Sequence, residues 1–64
     1  MPTIRVEMYE GRTLDQKREL VRSVTDAVCS ALGVEPRAVQ IKINETRKED
    51  SARGGILASD RERA

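Results

Sequence analysis

From Thr3 to Tyr9 apolar and polar residues alternate, with Ile4, Val6 and Met8 on one side and Thr3, Arg5, Glu7 and Tyr9 on the other. A period of two is that of a strand with one apolar face. Glu10-Gly11-Arg12 then reads as a turn. Thr13 followed three residues later by Gln16 has the pattern of a capping box, whose side chains satisfy free amides at a helix start. Beyond it the apolar spacing changes to three and four, through Leu20, Val21, Val24, Ala27, Val28, Ala31 and Leu32, while Lys17, Arg18, Arg22 and Asp26 fall largely elsewhere on the wheel. This pattern predicts a helix beginning near Leu14 and ending near Leu32. Gly33 suits the left-handed position after a helix, and Pro36 prevents continuation.

Alternation returns with Val39, Ile41 and Ile43 against Gln40, Lys42 and Asn44, which predicts a second strand. Two strands joined through a long helix pair in parallel by a right-handed crossover, so residues 3–44 read as one βαβ unit. After Glu45 the chain is polar through Thr46-Arg47-Lys48-Glu49-Asp50-Ser51, then passes Gly54-Gly55 into Ile56-Leu57-Ala58. A short carboxy-terminal strand or hairpin that reaches onto a neighbour is expected there, because Ile56 and Leu57 would otherwise face water. Residues 60–64 are expected to be a mobile tail, and 1–64 a single α+β domain. A two-stranded parallel sheet with a helix on one face leaves its other face and both edges open, so the sheet is expected to be completed by oligomerisation.

Size sharpens that expectation. A chain of 64 residues buries only about 60% of the surface its unfolded form exposes, and small domains compensate with disulfides, a structural metal or association. Cys29 is the only cysteine and there is no histidine, so an internal disulfide is excluded and a zinc site would have to be made of carboxylates around one thiol, which is not how structural zinc is normally held. Association remains. Twelve Lys and Arg against eleven Asp and Glu, interleaved along the chain, form no basic stripe, and Tyr9 is the only aromatic residue. Nucleic-acid modules need both a concentrated positive field and stacking rings, so that class is set aside. No apolar run approaches the roughly 20 residues that span a bilayer. A cytoplasmic protein with Cys29 reduced is expected.

The inventory for catalysis is thin: no histidine, no serine in a nucleophile elbow, no phosphate-binding loop, and Cys29 within a helix, where it reads as a small packing residue. The amino terminus itself remains. Removal of Met1 before a small residue would leave Pro2 with a free secondary amine at the start of a strand. Such amines titrate near neutrality, and an unprotonated one is a base and a nucleophile.

Met1-Pro2, a short alternating strand, Glu10-Gly11-Arg12-Thr13 and Asp15-Gln16-Lys17, in that order, closely resemble the amino-terminal half of the 4-oxalocrotonate tautomerase family. Asn44-Glu45-Thr46-Arg47-Lys48 and Gly54-Gly55-Ile56-Leu57-Ala58-Ser59 look like its second strand end and carboxy-terminal hairpin, so the resemblance covers nearly the whole chain. It implies the tautomerase fold and a cofactor-independent, metal-free isomerase acting on an unsaturated 2-hydroxy or 2-oxo acid, with a place in the breakdown of aromatic compounds. Pro2 would be the general base after loss of Met1, and Arg12 would bind a carboxylate of the small substrate, often from a neighbouring chain of a hexamer arranged as a trimer of dimers. A guanidinium at a strand-to-helix turn can grip a carboxylate with two bonds.

Two departures qualify the resemblance. Gln40 stands where the best-known member has a second arginine at the start of the second strand, and Ser51 stands where it has an aromatic residue in the loop. Gln40 still donates a hydrogen bond to substrate but brings no charge, and a missing interaction of that kind is worth about 3 kcal/mol at a transition state. Lys42 or Arg53 could supply the charge, or both are solvated surface residues. A homologous partner subunit in a hetero-hexamer could also supply it, which makes a weakly active or non-catalytic subunit the second reading. A proline-dependent hydratase or dehalogenase-like lyase is the third, although Arg53 occupies the place where a chloroacrylate-dehalogenase subunit carries its acid.

Overall fold

The computed structural model describes residues 1–61. Thr3–Tyr9 form strand β1 and Gln40–Thr46 strand β2, paired in parallel from Thr3 opposite Gln40 to Tyr9 opposite Thr46. Between them Leu14–Leu32 form helix α1. The βαβ unit is thus present, with β1 and α1 spanning the residues that alternation and helical spacing mark out. Strand β2 continues beyond Asn44 to Thr46, because pairing with Met8 and Tyr9 holds its backbone after the side-chain alternation ends.

The ends of α1 follow from local chemistry. Thr13 accepts from the Gln16 amide at 3.1 Å and Gln16 Oε1 accepts from the Thr13 amide at 2.9 Å, which completes the capping box. At the other end Gly33 adopts φ 68°, and its N–H donates to the Cys29 carbonyl at 2.9 Å. A single 3₁₀ turn at Pro36–Ala38 then leads into β2.

Ile4, Val6 and Met8 of β1 and Ile41 and Ile43 of β2 are half-buried, whereas the alternate residues Thr3, Arg5, Glu7, Gln40, Lys42 and Asn44 are exposed. On α1 the half-buried stripe is Leu20, Val21, Val24, Thr25, Val28 and Cys29; Ala27, Ala31 and Leu32, expected in that stripe, are exposed. A sheet of two strands is too narrow to cover the whole apolar arc of the helix. The lone Cys29 takes part in packing, as its neighbours on the helix suggest, and makes no disulfide.

The polar segment after β2 contains a 3₁₀ turn at Lys48–Asp50, held by Arg47, which bonds Asp50 at 2.9 Å and Glu49 at 2.9 Å. Ala52–Arg53 (β3) and Ile56–Leu57 (β4) then form the expected hairpin, turned through Gly54 and Gly55 at φ 60° and 82°. Positive φ at both central positions is what a two-residue hairpin turn demands and what glycine supplies. A short helix, α2, follows at Ala58–Arg61 and includes the first two residues of the segment read as a tail; residues 62–64 lie outside the described ones. No helix among the described residues is long and apolar enough to cross a membrane.

Among the described residues only Ala58 is buried, at 4% exposure. The radius of gyration is 15.2 Å, against about 11 Å for a compact chain of this length. The accessible surface of 5137 Å² exceeds the roughly 4,100 Å² expected of a folded monomer of this mass by about 1,000 Å². That excess is of the order of one partner's share of a standard interface, about 800 Å². Leu14, Leu32 and Ile56 are each more than half exposed. The isolated chain is a two-layer slab 14 Å thick along its shortest axis, without an enclosed core.

Candidate active site

Parallel pairing places the beginnings of β1 and β2 side by side. Pro2, half-buried, directly precedes β1, and its carbonyl accepts from the Gln40 N–H at 3.0 Å. Gln40 opens β2 with its side chain on the exposed face of the sheet, opposite Thr3. The structure therefore brings Pro2 and Gln40 together. Lys42 lies two residues further along the same face, opposite Arg5 in register, so the two cations neighbour one another at the middle of the sheet.

Arg12 is at the other end. β1 closes on β2 with the Glu10 N–H donating to the Thr46 carbonyl at 3.1 Å, Gly11 turns the chain at φ 117°, and Arg12 precedes the Thr13 cap. The seven residues of β1, at about 3.3 Å each, separate this turn from Pro2 by roughly 23 Å. Arg12 borders two hollows. One, of about 370 Å³, is lined by Glu7, Met8, Tyr9, Arg12, Thr46 and Ser51. The other, of about 250 Å³, is lined by Met8, Arg12, Gln16, Lys17 and Leu20. Among the described residues no hydrogen bond or ion pair engages the Arg12 guanidinium, so its five donors are available to an anion. Ser51 belongs to the Arg12 end as well, half-buried, with its carbonyl accepting the Ala58 N–H at 2.8 Å. Arg53 is exposed on β3 and lines neither hollow.

One chain thus places the candidate residues at opposite ends of its sheet: Pro2 and Gln40 at the strand beginnings, Arg12 and Ser51 at the strand-to-helix turn. The residue pattern does not single out Glu7 or Tyr9, yet both line the larger hollow beside Arg12. Their places in the alternation, on the face away from the helix and just before the turn, are the signal that could have found them. Lys48 lies over the Tyr9 ring at 5.9 Å from its centre, which holds the 47–50 turn against this end of the sheet. Two charged groups are shifted, one on the helix and one in the 47–50 turn beside the Arg12 end. Arg22 and Ser23 bond Glu19 and hold its carboxyl below the usual range, and Asp50 holds Arg47 above its ordinary value. Among the described residues no three Cys, Asp or Glu side chains gather as a metal site requires.

The family model described as "Tautomerase enzyme" matches residues 2–61. A 2-hydroxymuconate tautomerase of Bacillus subtilis is 44% identical over 62 residues, which covers 97% of this chain and all of that one. A solved 4-oxalocrotonate tautomerase isozyme from Methylibium petroleiphilum superposes with a TM-score of 0.91 at 40% identity, covering 97% of each chain. A heterohexamer 4-oxalocrotonate tautomerase from Chloroflexus aurantiacus matches with a TM-score of 0.86 at 33% identity, over 94% of this chain and 97% of that one.

Proposed function

We infer the chemistry of this chain from one premise: it belongs to the tautomerase family and is an isomerase. Its reaction, in our proposal, is enol–keto tautomerisation of an unsaturated 2-hydroxy acid. The Pro2 amine, freed by removal of Met1, accepts the proton of the enol hydroxyl, and the electron pair moves through the conjugated chain. The same proton is then delivered to carbon, leaving the 2-oxo product and a free amine. Arg12 binds a substrate carboxylate, and Gln40, beside Pro2, donates a hydrogen bond to the oxygen on which charge develops. The substrate class follows the Bacillus subtilis relative, named for 2-hydroxymuconate, and remains part of the proposal.

The observation that carries this reading is the position of Pro2 at the head of a half-buried strand with Gln40 held against it. While Met1 is attached, the Pro2 nitrogen is an amide and has no basicity. Because Arg12 lies roughly 23 Å along the strand from Pro2, a complete site takes its cationic half from a second subunit. A hexamer, homomeric or with a homologous partner, provides that neighbour. The experiment compares the chain with Met1 removed, verified by mass, against one carrying an uncleavable residue before Pro2. With 2-hydroxymuconate the free-proline form should show a kcat/KM that rises with pH as the amine loses its proton. The extended form should fall by at least about 100-fold, the usual worth of a positioned base. Equal rates in the two forms would exclude the amino-terminal base.

A second reading has its own support. Gln40 is uncharged, neither Lys42 nor Arg53 lines the hollows beside Arg12, and a relative assembles as a heterohexamer. In this reading the chain is a weakly active or structural subunit whose partner supplies the missing charge. Purified alone it would then be nearly inactive even with a free Pro2.

A further inference from the structure

Lys17 is the one basic residue of α1 that is not exposed: its side chain is 28% exposed, against 67% for Arg18 and 64% for Arg22. Its ammonium donates to Glu45 Oε1 at 2.6 Å, and the Glu45 side chain is 31% exposed. The pairs Arg18–Asp15, Arg22–Glu19, Arg22–Asp26, Arg37–Glu35, Arg47–Glu49 and Arg47–Asp50 each join positions no more than four apart. This one ties the first turns of the helix to the last residues of β2.

Its place relative to Arg12 is specific. The Lys17 N–H donates to the Thr13 carbonyl at 3.1 Å, so Lys17 stands one helical turn from the cap that Arg12 precedes. Glu45 adjoins Thr46, whose carbonyl accepts the Glu10 N–H. The turn bearing Arg12 is therefore anchored to β2 on both sides, by Glu10–Thr46 before it and by Lys17–Glu45 after it. Arg12 and Lys17 also line one hollow, so a shift of the helix start moves both.

We propose that Lys17 and Glu45 are a positioning pair for Arg12. The pair fixes the start of α1 against the end of β2, so that Arg12 presents its guanidinium to the substrate from one direction. This rests on the reading of Arg12 as the carboxylate site. A partly exposed ion pair contributes little to stability, so its loss is read in substrate binding more than in assembly.

The test uses the assembled enzyme with Met1 removed and 2-hydroxymuconate as probe. Lys17→Met and Glu45→Gln should each raise KM about threefold to fivefold, the range such a pair can carry, with kcat within about twofold. The charge swap K17E/E45K should restore KM, and neither single substitution should change KM further in an Arg12→Ala background. An unchanged KM in both single variants, or the same rise without Arg12, would overturn the proposal, the latter by showing a merely structural tie. Glu45→Gln keeps an acceptor for the ammonium and guards against loss of fold in Lys17→Met; disassembly of both would also overturn it. An unchanged KM in Arg12→Ala alone would remove Arg12 from the carboxylate site itself. That outcome is recognisable because neither Lys17 nor Glu45 is altered in it.

Discussion

The separation of Pro2 from Arg12 gives a prediction that does not depend on knowing the natural substrate. Two chains are prepared, one blocked before Pro2 by an uncleavable residue and one carrying Arg12→Ala. Assayed at a substrate concentration well below the raised KM of Arg12→Ala, each is expected to show little activity as a homo-oligomer. The seven residues of β1 hold the two halves roughly 23 Å apart, further than an arginine side chain and a small dicarboxylate can bridge. If each site pairs Pro2 of one subunit with Arg12 of another, mixed oligomers contain sites in which both are intact. Random assembly of equal amounts gives a sound Pro2 half the time and a sound neighbouring Arg12 half the time, so about one quarter of wild-type activity returns. The two chains are unfolded together, refolded, checked for mixed assembly by native mass spectrometry, and assayed with 2-hydroxymuconate. No recovery in demonstrably mixed oligomers would refute the shared site, because every chain then carries one defect and a site within one chain stays dead.

Two further outcomes test the fold. With only Ala58 buried among the described residues, folding and association should be one transition, so the melting temperature should rise with protein concentration, and calorimetry over a hundredfold range would show it. A concentration-independent melt would mean that the chain is stable alone. Thr13→Ala removes the hydroxyl half of the capping box and should cost about 1 kcal/mol, read by denaturant titration; a loss near zero would mean that the cap is not limiting.

How much of this was legible in the sequence depends on the range of the interaction. The bounds of α1 could be read because Thr13 with Gln16 and Gly33 with Pro36 punctuate them within a turn of each end. The parallel pairing of β1 and β2 followed from the length of the helix between them, whereas the meeting of Pro2 and Gln40 depends on the register, which that length does not fix. Periodicity defined an apolar arc on α1, but the covered width of that arc depends on how many strands lie beneath it. Two strands leave Ala27, Ala31 and Leu32 in water. The Lys17–Glu45 tie was beyond reach for a different reason. Its partners are 28 positions apart, and either residue taken alone is an ordinary surface charge.

The same topology links stability to chemistry in the proposed assembly. A right-handed βαβ unit puts both strand beginnings at one end of the sheet and the strand-to-helix turn at the other, so a proline at the chain's start and an arginine in that turn cannot meet within one subunit. The outer sheet face, the hairpin and apolar side chains such as Leu32 and Ile56 are uncovered in the single chain. In the proposed assembly, contacts between subunits that cover those surfaces would also bring one chain's Pro2 end to another's Arg12 end. Substitution of Ile56 or Leu57 by a charged residue, although remote from Pro2 in its own chain, would thus weaken activity and assembly together. Arg12→Ala, at an exposed turn with no partner among the described residues, would separate the two, lowering substrate affinity while leaving the oligomer intact.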